Sequence, residues 1–386
     1  MSDDMNNEKA EIWDAMESSF AAHAARMHVP MFGTFELTPR CNMHCKMCYI
    51  HMSPREVAAA GSGELTTKQW LHLAEEAIEN ETLYLMLTGG EPLMREDFTE
   101  IYTQISKMGF MVFLNTNAAL MNKKYFDLFS KYPPTATAIT LYGADAETYQ
   151  RICGNAGDFD RTIRGLEYFA DIPTLLEIRT TFIKDNKDQL DKLREIANRY
   201  TKRYAINCHV FKPVGGVISS AESCRLSAEE CFDVRFSNAD WYREKKAKGR
   251  KDQALDLSNY INDTSEDEKR KLKSVAVGMG IFPEILSCLA AKAMYWIRWD
   301  GKMLPCGTFS SPYTLPLEEG FGPAWNRLPE LLTDLKHPQK CIECELFESC
   351  SNCPAYFQAE TGSFDEVADY ICSLAEERRV RFSIGS

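Results

Sequence analysis

With 386 residues, 45% apolar and 26% charged, the chain is long enough to bury a substantial core and has the balance of a globular protein. A net charge of −12 argues against a broad nucleic-acid face, which needs a basic surface, and the basic run Lys245–Lys251 reads as a solvated loop or helix end. No apolar run approaches the ~20 residues of a membrane span. The acidic, polar N-terminus also lacks the basic-then-apolar order of a signal peptide, so the chain is expected in the cytoplasm.

Glu8 to Ala25 reads as a helix within an N-terminal helical segment, 1–31. Strand-like segments then follow at Phe32–Leu37, Leu83–Leu87, Met111–Leu114, Ala136–Leu141, Leu175–Phe182 and Ala205–Phe211. Helical patterns lie between them: Thr67–Glu79, Phe98–Lys107, Lys123–Lys131, Ala146–Phe169 with a break near Gly154, and Gln189–Tyr200. Thr66 with Gln69 forms a capping box before the first of these. Six β-α repeats with short apolar strands predict an α/β fold with a parallel sheet covered on both faces. Six units are too few for the eight-stranded barrel, so a curved, partial (β/α)6 barrel over 32–213 is expected, with its chemistry at the carboxyl ends of the strands. Residues 214–287 are charged and read as a mostly helical bridge, with Ser227 and Glu230 as a second capping box. From Cys288 the chain is rich in cysteine, and helical periodicity returns near Glu366 to Arg379.

Fourteen cysteines in a cytoplasmic chain read as metal ligands before disulfides. Cys41, Cys45 and Cys48 stand in a C-x3-C-x2-C run just after the first strand. Three thiolates on one loop can hold three corners of a [4Fe–4S] cluster and leave the fourth iron free for a ligand. Three unrelated buried cysteines or a zinc site are the plainer alternatives, although zinc favours four closed N/S ligands.

Together with Gly89-Gly90-Glu91-Pro92 after the second strand, this loop resembles the radical S-adenosylmethionine superfamily. The resemblance implies that the open iron chelates the methionine part of S-adenosylmethionine and that the Gly-Gly-Glu-Pro segment lines the site of its amino group. Glycines there let backbone carbonyls approach, and a carboxylate suits an ammonium. Asn117, in Asn115-Thr116-Asn117, resembles a third-strand residue near the nucleoside, in a segment where the family often has glycine at the position of Ala118. Arg179 resembles a fifth-strand arginine that meets the cofactor carboxylate or ribose. The residue before the third cysteine is often aromatic and packs near adenine; here it is Met47, which still offers apolar contact.

The C-terminal cysteines resemble the SPASM extension, which carries two auxiliary [4Fe–4S] clusters, so 288–386 is expected to form such a domain. Carried over, one cluster uses Cys341, Cys344, Cys350 and Cys372. The other uses Cys288, Cys306 and Cys353, three ligands only, with an open iron, Glu284, Cys224 or Cys231 as alternatives for the fourth. A zinc ribbon is the other reading of the C-x2-C pairs. Cys153, Cys208, Cys224 and Cys231 have no motif partners and are expected to be structural. His44 and His209 are expected to be packed or solvent-facing. Tyr142 and Asp145 lie at the active end, where they could act on substrate.

The resemblance implies three [4Fe–4S] clusters and S-adenosylmethionine, with reduction by an external donor such as flavodoxin or ferredoxin. It implies a 5′-deoxyadenosyl radical that modifies a ribosomally made peptide by thioether or carbon–carbon crosslinking or by epimerisation. A formylglycine-forming maturase acting on a protein is the alternative enzyme, and a non-catalytic iron–sulfur carrier the alternative outside catalysis. The segment before Phe32 is too short for the peptide-recognition domain common in such enzymes. Recognition is therefore expected from a separate protein, or from the barrel and bridge.

Overall fold

One eight-stranded sheet organises the chain, in the order β6-β5-β4-β3-β2-β1-β7-β8. The computed structural model describes residues 20–61, 63–237, 286, 288–347 and 350–382. The expected helix over Glu8–Ala25 is described only from residue 20, where 20–27 are helical. Most of the expected bridge, the basic run Lys245–Lys251, and Glu284 lie outside the described residues.

Strands β1 (Phe32–Glu36), β2 (Tyr84–Thr88), β3 (Met111–Thr116), β4 (Ala136–Thr140), β5 (Leu175–Thr181) and β6 (Tyr204–Asn207) pair in parallel, each with the next. The helices that follow β1 to β5 are α1 (Thr67–Glu79), α2 (Phe98–Lys107), α3 (Lys123–Lys131), α4 (Ala146–Cys153) with α5 (Gly157–Ala170), and α6 (Leu190–Asn198). The α4/α5 break falls at Gly154, whose φ of 82° closes α4 in the left-handed conformation that glycine adopts without strain. Both expected capping boxes form, at Thr66/Gln69 on α1 and at Ser227/Glu230 on α7 (Ala228–Phe236).

Two strands were not foreseen from sequence. β7 (Met294–Ile297) joins the free edge of β1 in parallel, and β8 (Met303–Leu304) returns antiparallel to it. The segment after Cys288 thus extends the barrel sheet itself. The cysteine-rich region continues through α8 (Pro354–Thr361) and α9 (Asp369–Phe382).

Alternation divides each strand between two faces. Phe35, Leu37, Leu85, Leu87, Leu114 and Ile178 are fully buried in the layer beneath the helices, where Phe35 meets Trp70 of α1 at 5.0 Å. The opposite face lines the barrel interior. Its floor is aromatic: Phe32 stacks on Tyr84 at 4.8 Å, and Tyr84 meets Phe113 edge-on at 5.8 Å. Towards the carboxyl ends the same face becomes polar, with Glu36, Asn115, Glu177 and Arg179. Among the described residues, no helix is long and apolar enough to cross a membrane.

Candidate active site

The three-cysteine loop leaves β1 and is fixed at both ends. Met52 N–H donates to the Pro39 carbonyl at 3.0 Å, closing the loop on itself. At its centre His44 N–H donates to the Cys153 carbonyl and Lys46 N–H to the Ile152 carbonyl, each at 3.0 Å, docking the loop on the end of α4. Behind it, Arg95 donates to the Leu37 and Leu65 carbonyls at 2.8 and 3.0 Å and pairs with Asp97 at 2.7 Å.

All three thiols are pushed up. Burial is the main cause for Cys41 and for Cys48, which reaches about 11. For Cys45 the largest cause is the neighbouring Cys153 thiol, then burial. Thiols this buried and this close resist ionisation as free groups, and bound iron would supply the charge that offsets three thiolates. Hydrogen-bond donors already face the sulfurs: Met43 N–H at 3.4 Å and Asn117 Nδ2 at 3.6 Å on Cys41, His51 N–H at 3.2 Å on Cys48. Such donors accompany cluster ligands. The residues therefore fit the group. Among the described residues no three His, Cys, Asp or Glu side chains converge on a single ion. A cubane asks for less convergence, because each thiolate meets a different iron.

The Gly89-Gly90-Glu91-Pro92 turn packs against the start of this loop. Gly90 N–H donates to the Thr38 carbonyl at 2.7 Å and Glu91 N–H to the Arg40 carbonyl at 2.8 Å. A Cβ on Gly90 would stand 2.3 Å from the Arg40 oxygen, so only glycine allows the approach. The Glu91 carboxyl already has partners within the protein. One oxygen accepts from Leu93 N–H and Thr116 Oγ1, the other from Asn117 N–H at 2.7 Å. Burial raises Glu91 to about 7 despite these three donors. Pro92 and Leu93 are buried in the short 3-10 turn that follows.

Asn117 faces the cysteine loop, donating to Asn42 Oδ1 at 2.9 Å as well as to Cys41. Ala118 holds a φ of 59°, which explains the expected preference for glycine there. Met47 is 7% exposed and packs into the main core. Arg179 pairs with Glu177 on the inner face of β5. Asp145 caps α4 through Thr148 N–H and holds Gln189, a structural duty. His209 is lowered to about 4, chiefly by burial, and lies beside Phe211.

Sequence reasoning missed a group in the barrel mouth. Glu36, 4% exposed, accepts from Trp296 Nε1 of β7 at 2.9 Å, and burial pushes it up to about 8. It lines a recess with Tyr49, Arg298 and Gly307. Tyr49, 46% exposed, lines the same recess. The signal in the sequence was an acid alternating with apolar residues inside a buried strand.

The C-terminal cysteines gather in two groups. Cys353 is raised to about 12 by burial and by Cys306 and Cys288. Cys350 is raised to about 11 by burial and by Cys372, Cys341 and Cys344. Of the cysteines expected to be structural, Cys231 donates to the Cys208 carbonyl at 3.0 Å. Cys153 instead adjoins Cys45.

Residues 35–200 match the Radical SAM superfamily. The chain is 27% identical over 356 residues to an AdoMet-dependent heme synthase of Methanosarcina barkeri, covering 90% of this chain and 97% of that one. It is 22% identical to a PqqA peptide cyclase of Granulibacter bethesdensis, covering 91% and 89%. In structure it resembles Streptococcus suis SuiB bound to its precursor peptide SuiA. The TM-score is 0.62 at 16% identity, over 89% of this chain and 76% of that one, which is a likeness of fold.

Proposed function

Because the chain carries a radical SAM domain over residues 35–200 and is an enzyme of that kind, we propose that it modifies a ribosomally made peptide by radical chemistry at the barrel mouth. Cys41, Cys45 and Cys48 would hold a [4Fe–4S] cluster beside S-adenosylmethionine. Bound together, these supply a 5′-deoxyadenosyl radical able to take hydrogen from an unactivated carbon. Gly89 and Gly90 would face the methionine amino group with backbone oxygens. Glu91 holds that turn to the end of β3, and Asn117 orients the Cys41 side of the loop. Met47 offers apolar contact towards adenine, and Arg179 a cation for the carboxylate or ribose. The protein's part is to bind, orient and exclude water.

The observation that carries the radical reading is the docking of the Gly-Gly turn on the backbone that leads into Cys41. The two C-terminal cysteine groups support a SPASM-type domain with two auxiliary clusters, on Cys341, Cys344, Cys350 and Cys372 and on Cys288, Cys306 and Cys353. Peptide modification is supported by the nearly full-length likeness to the peptide cyclase. An external one-electron donor would reduce the clusters.

A second reading rests on the likeness to the heme synthase, which also spans nearly the whole chain. One experiment separates the two. A short peptide encoded beside the gene is co-expressed with the protein and weighed. Loss of two hydrogens, or unchanged mass with one solvent-derived deuterium, supports peptide modification. An unmodified peptide together with haem formed by the reconstituted enzyme supports the second reading.

A further inference from the structure

Glu36 ends β1 and Arg298 follows β7, each one residue beyond the Phe35–Ile297 pair. Alternation puts both on the inner face of the sheet with Trp296. Each is only half used. Glu36 Oε2 accepts from Trp296 Nε1 at 2.9 Å, and among the described residues Oε1 has no partner. Arg298 donates to Asp300 through Nε and Nη2, and among the described residues Nη1 has no partner. A Cβ on Gly215, in the loop after β6, would stand 2.5 Å from Nη1, so that nitrogen faces the wall that Gly215 forms.

The recess that these side chains line lies between two cysteine loops, since Tyr49 follows Cys48 and Gly307 follows Cys306. Ile50, Val217 and Phe309 give it apolar walls. Neighbouring strands run about 4.8 Å apart, so the recess offers one acceptor and one donor side by side. One extended residue of a peptide matches them, because its own N–H and C=O point to the same side. The apolar walls then take its side chain. We propose that Glu36 and Arg298 anchor one extended residue of the substrate peptide between the Cys48 and Cys306 loops, Glu36 accepting its N–H and Arg298 donating to its carbonyl. The inference rests on the peptide reading above. Without a ligand, burial holds Glu36 up to about 8, and an N–H placed against Oε1 favours the carboxylate.

The test uses the full chain, reconstituted with iron and sulfide without oxygen, at about pH 9, where the carboxylate is present. Two probes are titrated by ligand-observed NMR: N-acetyl-L-leucine N-methylamide and O-acetyl-L-leucic acid N-methylamide, an ester that lacks only the N–H in question. Wild type is expected to bind the amide at least about fivefold more tightly than the ester. In Glu36→Gln the one side-chain oxygen stays with Trp296 Nε1 and an NH2 group faces the probe, so the preference is expected to vanish. Arg298→Met leaves Asp300 paired with Lys302 at 3.1 Å and is expected to weaken both probes equally. Where one variant does not fold, the other decides. No binding of the amide, equal binding of the two probes to wild type, a preference kept by Glu36→Gln, or unchanged binding in Arg298→Met overturns the inference. The peptide reading then stands, because it is judged by the mass of the co-expressed peptide. An unmodified peptide there, with haem formed, overturns that reading and the inference with it.

Discussion

Glu91 accepts a hydrogen bond from the Asn117 backbone N–H at 2.7 Å, joining the turn after β2 to the loop after β3. Asn117 in turn reaches the Cys41 sulfur at 3.6 Å. A displaced Gly-Gly turn would therefore be felt at the cysteines. Gly90→Ala would force a Cβ to within 2.3 Å of the Arg40 oxygen, a backbone atom that cannot swing away. The variant is expected to bind S-adenosylmethionine at least about tenfold more weakly, a loss of about 1.4 kcal/mol. Equilibrium binding to the reconstituted protein measures this, and wild-type affinity would refute the role given to the turn.

Glu36 gives the chain a pH signature. Burial raises it from 4.5 to about 8, against the opposing Trp296 hydrogen bond and Arg298 charge. The folded state then holds a proton that the unfolded chain releases near 4.5. The stabilisation is full below 4.5 and is lost as pH rises to about 8, by up to about 1.4 kcal/mol per unit. Glu36→Gln has no proton to lose, so wild-type stability relative to this variant should fall between pH 5 and 8. Denaturant unfolding across that range checks it; parallel stability profiles would contradict it.

A largely buried ion pair helps to tie the residues after β6 to the C-terminal helices. Arg225 lies 2.7 Å from Glu360, with side chains 14% and 5% exposed, and its guanidinium stacks 3.8 Å over Tyr370. Removing one partner strands the other, so Arg225→Ala should cost about 3 kcal/mol in urea unfolding. Arg225→Lys should recover only part, because an ammonium gives up the planar stack. Full recovery by lysine would show that charge alone matters.

The β-α order was legible because apolar runs alternate with helical periodicity, in places opened by a capping residue such as Thr66 before α1. The C-x3-C-x2-C loop was legible from its spacing, whereas the division of the C-terminal cysteines into two sets came from the family resemblance. β7 was not. It is four residues long, and it pairs with β1, more than 250 residues earlier in the chain. Glu36 was hidden inside an apolar run, where only its place on the inner face gives it a role. Cys153 carries no motif, and its nearness to the cysteine loop arises when α4 docks there. At Glu91 the motif was visible in the sequence, but the three donors on its carboxyl were not.

Iron content separates the three sites. The reconstituted wild type is expected to hold ~12 iron atoms per chain, in three cubanes. Replacing Cys41, Cys45 and Cys48 by alanine should leave ~8 and abolish cleavage of S-adenosylmethionine. About four irons in the wild type, all lost in that variant, would remove the auxiliary clusters from the account.

The central claim is that the Cys41–Cys48 loop and the Gly-Gly turn together run radical chemistry. The most direct measurement is to add S-adenosylmethionine and dithionite to the anaerobically reconstituted protein and quantify 5′-deoxyadenosine. 5′-Deoxyadenosine is expected to form in wild type and to be absent when the three cysteines of the loop are replaced. No 5′-deoxyadenosine above background from wild type with intact clusters would contradict it.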